Sequence, residues 1–226
     1  MTFDLDVAEP ANVIDDLLRH VPVMEAHKIA LRNAMMGPTR LYHGLYHYAT
    51  MWWAHHRLKA RFAPPYLTRD GDREIASAIL YHDIIYDARS SRNEAASAEL
   101  WRSHAAAAGA AAVIDIDLVE AMILATAQHF ANRPYDTEAD RRREWFVGLD
   151  LVSLAAEPAQ FDLNTALIRL EYAHLSNAEW AAGRGSFLRM VGQVPRIFRD
   201  PVLHDLFEAK ARANIGRSLA SPEGAR

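Results

Sequence analysis

The sequence predicts an all-α fold, a single helical domain with a C-terminal helical extension. Three observations predict it: apolar residues recur at spacings of three and four along most of the chain, strand-type alternation is almost absent, and Gly, Pro and Asp clusters fall between the periodic stretches. The first element is "ANVIDDLLRHV" at 11–21, where Val13, Ile14, Leu17, Leu18 and Val21 form one apolar stripe. The same periodicity places helices near 24–36, 43–62, 73–87, 93–108, 115–129, 137–155, 159–175, 177–191 and 203–219. Gly37-Pro38 ends the first of these, Pro64-Pro65 ends the next, and "DGD" at 70–72 marks a turn before the third. "SRNE" at 91–94 reads as a capping box, with Ser91 on the backbone amides and Glu94 reaching back, and it opens the alanine-rich helix that Gly109 closes. No internal repeat or long flexible linker divides the chain. One domain over 1–226 is therefore expected, with a core over about 24–157 and C-terminal helices over about 158–219.

A chain of 226 residues can bury roughly 70 % of its unfolded surface. Half of it is hydrophobic and 24 % is charged, the balance of an ordinary globular protein. The absence of cysteine excludes disulfides, thiolate zinc sites and a cysteine nucleophile, so any metal must be held by His, Asp or Glu. A net charge of −4 weighs against specific nucleic-acid binding. The opening "MTFDLDVAEP" has acids where a secretory signal needs bases, and no run approaches the ~20 apolar residues of a membrane span. A cytoplasmic protein with no membrane partner is expected.

Against this background a few polar residues stand where a core should be. In "LYHDIIYD" (80–87), helical spacing puts His82 on a face with Ala78, Ile79, Ile85 and Tyr86, and Asp83 on a face with Ile79, Leu80 and Tyr86. Asp150, in "WFVGLDLVSLA", has Phe146 and Leu154 one turn away on either side. Burying unpaired carboxylates costs several kcal/mol, and no Arg or Lys lies within a turn on the same face. A divalent cation compensates both acids at once. "RLYHGLYHY" (40–48) adds His43 and His47, one turn apart if helical. His47, His82, Asp83 and Asp150 would make a site of two nitrogens and two oxygens, suited to Mn, Fe, Co, Ni or Mg and less to structural zinc.

The order His, then His-Asp, then a distant Asp on helices resembles the HD-domain superfamily of metal-dependent phosphohydrolases. The words "RLYHGLYHY", "YHDIIYD" followed by "RNEAASA", "ATAQH", "GLDLVSLA", "LIRLEYAHL", "GRGSFLRMV" and "EAKARANIG" are similar to one phosphohydrolase branch of it, over most of residues 30–216. The resemblance implies one divalent ion, zinc included among the candidates, held by His47, His82, Asp83 and Asp150. It also implies hydrolysis of a phosphoester or phosphoanhydride in a small nucleotide-like or phosphorylated substrate. The His43-x-x-x-His47 spacing is similar to that of cyclic-nucleotide phosphodiesterases, which implies that His43 protonates the leaving group; Gly44 departs from the Asn those enzymes carry.

Other residues take expected roles around this set. Asp83 or Glu94 would accept a proton, while Arg40 and His129 would bind or neutralise phosphate. Asp87 is similar in position to an acid near the metal in pyrophosphate-cleaving relatives, and is equally a solvated acid at a helix end. His104 followed by His129 is the order a two-metal variant would need. Arg169, Glu171, Tyr172 and Arg184 are expected to bond between helices first and to touch substrate second. His55, His56, Arg141, Arg142 and Arg143 are read as a solvated face, and Trp52, Trp53 and Trp101 as core. The alternative function is a regulatory module that binds metal or nucleotide without turnover.

Overall fold

The computed structural model describes residues 7–68 and 71–220. Within them the chain is all helical, with ten α-helices and no strand. They are α1 (Pro10–His20), α2 (Glu25–Met35), α3 (Leu45–Phe62), α4 (Gly71–Tyr81), α5 (Asn93–Ala108), α6 (Ile116–Thr126), α7 (Glu138–Leu151), α8 (Pro158–Glu171), α9 (Asn177–Gln193) and α10 (Pro201–Ala220). Short 3₁₀ turns follow α5 at Ala110–Ala112 and α7 at Val152–Ala155.

Local chemistry sets several of the ends. Pro10 and Pro158 start α1 and α8, where a missing N–H is harmless. Asp115 caps α6 by accepting the Leu118 N–H, while Thr137 with Asp140 and Ser176 with Glu179 form reciprocal capping boxes on α7 and α9. Gly109, at φ 65°, terminates α5 in the left-handed conformation that glycine adopts without penalty. The box expected at Ser91 and Glu94 does not form: α5 begins after Arg92 with no side-chain cap, and the Arg92 N–H goes to Ser90 Oγ. Of the "DGD" turn, Asp70 lies outside the described residues, whereas Gly71 and Asp72 already belong to α4.

Two further boundaries differ from the periodicity, both at the site. α3 starts at Leu45, so His43 precedes it and does not share a helical face with His47. Gly44 allows this entry: a Cβ there would stand 2.5 Å from the Arg40 carbonyl oxygen, a backbone clash that any side chain would incur. α4 ends at Tyr81, so His82 and Asp83 occupy a turn instead of the helix expected to run to 87. The reason is a distant side chain. The Arg40 guanidinium donates to the carbonyls of Asp83 (2.6 Å) and Ile84, oxygens just past α4 that a continuing helix would have bonded itself, and also to that of His43 (3.2 Å) ahead of α3.

The core lies where α1 and α3 pack with α4, and α4 with α6 and α7. Trp52, Trp101, Trp145, Tyr48, Tyr81 and Phe146 are fully buried there, each contributing about 2–3 kcal/mol by removing apolar surface from water. Trp53 is only half-buried. The solvated face expected around His55 is a correction: His55 is 0 % exposed, donating from Nε2 to Asp72 and accepting at Nδ1 from Trp145. Arg142 and Arg143 likewise pair with Glu74 and with Asp140.

Candidate metal centre

Four polar side chains converge from three places in the fold. His47 projects from the first turn of α3, His82 and Asp83 from the turn after α4, and Asp150 from the last turn of α7. His47 Nε2 lies 3.2 Å from His82 Nε2 and 3.1 Å from Asp150 Oδ1, and His82 Nε2 lies 3.0 Å from Asp83 Oδ2 and 3.6 Å from Asp150 Oδ1. His47 Nε2 and Asp83 Oδ2 are farther apart, at 4.0 Å. His47, His82 and Asp150 form a group able to hold a metal ion, with ligand atoms all within 4.8 Å of one another.

The donor set fits such an ion. Bonds of about 2.1 Å put ligand atoms about 3.0 Å apart at right angles and about 4.2 Å apart when opposed, the range spanned here. The histidine tautomer fits as well. His82 Nδ1 lies 2.8 Å from the Ile79 carbonyl, so Nδ1 carries the proton and Nε2 is turned inward. Burial opposes the charged form of His82, yet the carboxylates of Asp83 and Asp150 outweigh it and hold its pKa well above the usual value. Burial in turn opposes ionisation of Asp83 and Asp150, and the His82 charge outweighs it, keeping both far below the ordinary carboxylate range. The cluster therefore demands one positive charge in its midst, which an imidazolium or a cation supplies.

Asp150 uses both oxygens. Oδ1 faces the two histidines, and Oδ2 lies 2.6 Å from His129 Nε2. His129, in the turn after α6, thus orients Asp150 as well as facing the cavity above it. His104 is remote from this group, stacked on His27 and bonded to the Tyr81 hydroxyl.

His43 is held by Glu171 at the end of α8. Glu171 Oε1 accepts the backbone N–H groups of Leu41, Tyr42 and His43 at 2.8–3.0 Å, and Oε2 accepts His43 Nδ1–H at 2.6 Å and the Tyr86 hydroxyl at 3.0 Å. Burial raises the Glu171 pKa, but the His43 hydrogen bond and charge lower it further, so the carboxylate stays ionised. Tyr86 stacks on the His43 ring at 4.3 Å. The bonding between elements expected of Glu171 is present, but its partner, 128 residues away and beside the candidate metal-ligating group, is what the sequence did not name.

The remaining expected residues divide. Glu94 lines the cavity over the cluster, along with His43, Asp83, His129 and Asp150, and is not engaged in a helix cap. Arg40 and Asp87 are not among the residues lining it. Arg40 is committed to the carbonyls described above, and the exposed Asp87 accepts the Arg89 N–H and brackets the start of α5 through Asn93. The cavity, about 470 Å³, is walled by α8 and α9 through Phe161, Ile168, Tyr172, Trp180, Arg184 and Phe187.

Comparison of the chain with family models, curated proteins and solved structures found no match. The site therefore rests on its own geometry. No helix among the described residues is long and apolar enough to cross a membrane.

Proposed function

We propose that this chain is a metal-dependent phosphohydrolase of the HD type, acting on a small, nucleotide-like phosphorylated substrate with one divalent ion. The observation that carries the reading is the convergence of ligand atoms from His47, His82 and Asp150 within 4.8 Å of one another, with Asp150 and its neighbour Asp83 facing a cavity of about 470 Å³. A cavity of that size suits a ligand of mononucleotide dimensions.

His47, His82 and Asp150, with Asp83 beside them, would hold the ion; all four are hard or borderline donors suited to Mn, Fe, Co, Ni, Mg or Zn. When bound, such an ion supplies Lewis acidity, easing deprotonation of water and drawing charge from a phosphoryl oxygen. The chain's own groups do the rest. Asp83 and Glu94 line the cavity as the carboxylates available to accept the proton of an attacking water. As the bond between phosphorus and the leaving oxygen breaks, that oxygen needs a proton. His43 offers one from Nε2, because Nδ1 is committed to Glu171. His129 fixes Asp150 and presents its ring edge to the same space.

Elemental analysis should find a stoichiometric divalent ion, and a screen of nucleoside mono-, di- and triphosphates, cyclic nucleotides and pyrophosphates with Mn, Co, Ni or Mg should find turnover that chelation abolishes. Asp83→Ala and His47→Ala should each lose it. Full activity in either variant sinks the assignment, and tight nucleotide binding without turnover points instead to a regulatory module.

A further inference from the structure

Arg184, on the α9 wall of the cavity, poses a problem like that of the carboxylates that line it. Other half-buried arginines find either acids, as Arg133 does in Glu144, Arg142 in Glu74 and Arg212 in Glu208, or sets of backbone carbonyls, as Arg40 and Arg169 do. Arg184 pairs with none among the described residues. Its one hydrogen bond is from Nη2 to the neutral Thr165 hydroxyl at 3.3 Å, and its Nε is buried with no partner. The guanidinium stacks instead near Phe187 (5.5 Å) and Phe161 (6.0 Å), which fix its plane without neutralising it. Burial alone pulls its pKa down, and Tyr42 is the only titratable group that offsets this.

A half-buried guanidinium with a buried, unpartnered Nε carries part of the cost that an unpaired carboxylate does, and it is relieved when an oxyanion meets its planar donor fork. The anion is not supplied by Asp83 or Asp150, neither of which pairs with it, although both line the same cavity. We infer that Arg184 anchors a second anionic group of the substrate, a phosphate or carboxylate distinct from the phosphoryl that reacts, beside an aromatic wall of Phe161, Trp180 and Phe187. The inference deepens the hydrolytic reading and rests on it for which end of the ligand reacts. The site selects molecules with a second anionic group over simple monoesters.

The test separates binding from turnover. Calorimetric titration of the chelator-treated full-length chain with ADP and with inorganic pyrophosphate should show binding that Arg184→Met weakens about 10- to 100-fold and Arg184→Lys weakens less. In turnover with added Mn, Arg184→Met should raise KM for a two-anion substrate at least about 10-fold more than for p-nitrophenyl phosphate. Circular dichroism melting confirms that both variants fold, and Arg184→Lys carries the test if the Met variant does not. Equal loss on both substrate types, unchanged ADP and pyrophosphate affinity in a folded variant, or no binding of either probe to the parent chain overturns the proposal. Weakened binding in a chain that hydrolyses nothing leaves the Arg184 anchor standing and removes the hydrolytic reading alone.

Discussion

Glu171 is one residue on which the chemistry of the pocket turns, because it combines two functions usually kept apart. One oxygen collects three backbone N–H groups and so fixes the 41–43 turn, while the other fixes the His43 ring and the Tyr86 hydroxyl. Glu171→Gln keeps the size and one acceptor, but its amide N–H₂ cannot accept from both His43 and Tyr86. His43 then loses the partner that sets its tautomer and ring orientation. We expect kcat to fall about 10²-fold or more, with metal content unchanged by elemental analysis and KM little moved. Loss of the metal instead would show that the residue acts through the 41–47 segment as a whole. The legibility of the site divides along the same line. His82, Asp83 and Asp150 stood out because a polar residue in an apolar run needs explaining. Glu171 and Arg184 sit on half-polar helices, where the sequence supports only bonding between helices first and substrate contact second, and the three-dimensional approach of α8 and α9 supplies their partners.

At the level of elements, periodicity located all ten helices but misread where those at the site begin and end. Hydrophobic spacing reports which face is buried, and that face continues for several residues after the backbone has left the helix; "YHDII" still looks amphipathic although α4 ends at Tyr81. What ends it is Arg40, a contact across 43 residues that no local pattern announces. This suggests a role for Arg40 different from anion binding. Removing its hydrogen bonds to three carbonyls should loosen the 82–84 turn, so Arg40→Ala is expected to lower stability by roughly 2–3 kcal/mol in denaturant titration and to weaken metal retention. If Arg40 instead bound substrate, the variant would keep its stability and metal and raise KM. Gly44→Ala tests the other edge of the same structure. Its Cβ meets the Arg40 carbonyl at 2.5 Å, so the 40–44 turn must open and His43 move, and both thermal stability and turnover should fall.

For the whole molecule, the buried histidine that sequence reading left on the surface links three helices and makes the fold sensitive to acid. His55 on α3 donates from Nε2 to Asp72 on α4 at 2.9 Å and accepts at Nδ1 from Trp145 on α7 at 3.1 Å. Adjacent histidines on a helix point about 100° apart, so the pair His55-His56 spans the boundary between core and solvent, and a sequence shows no more than that one of them could be inside. Both nitrogens are committed to the neutral ring: a second proton on Nδ1 would face the Trp145 N–H. Burial accordingly drives the His55 pKa down to about 4, against the partial opposition of Asp72. The sign of the effect follows. In the unfolded chain the ring binds its proton below about pH 6.5, in the folded chain only below about 4, so the unfolded state is favoured progressively as pH falls through that window. The stability lost is on the order of 3 kcal/mol by pH 4. Asp72, lowered to about 2 with burial opposing and His55 and Lys59 favouring the ionised form, keeps its contribution until the pH falls below the ordinary Asp range, so the two losses are separable. Melting temperatures measured from pH 8 to pH 4 should drop for the parent chain, whereas His55→Gln should start lower and show a shallower decline between pH 6.5 and 4. An identical slope in both would mean that another group governs acid unfolding.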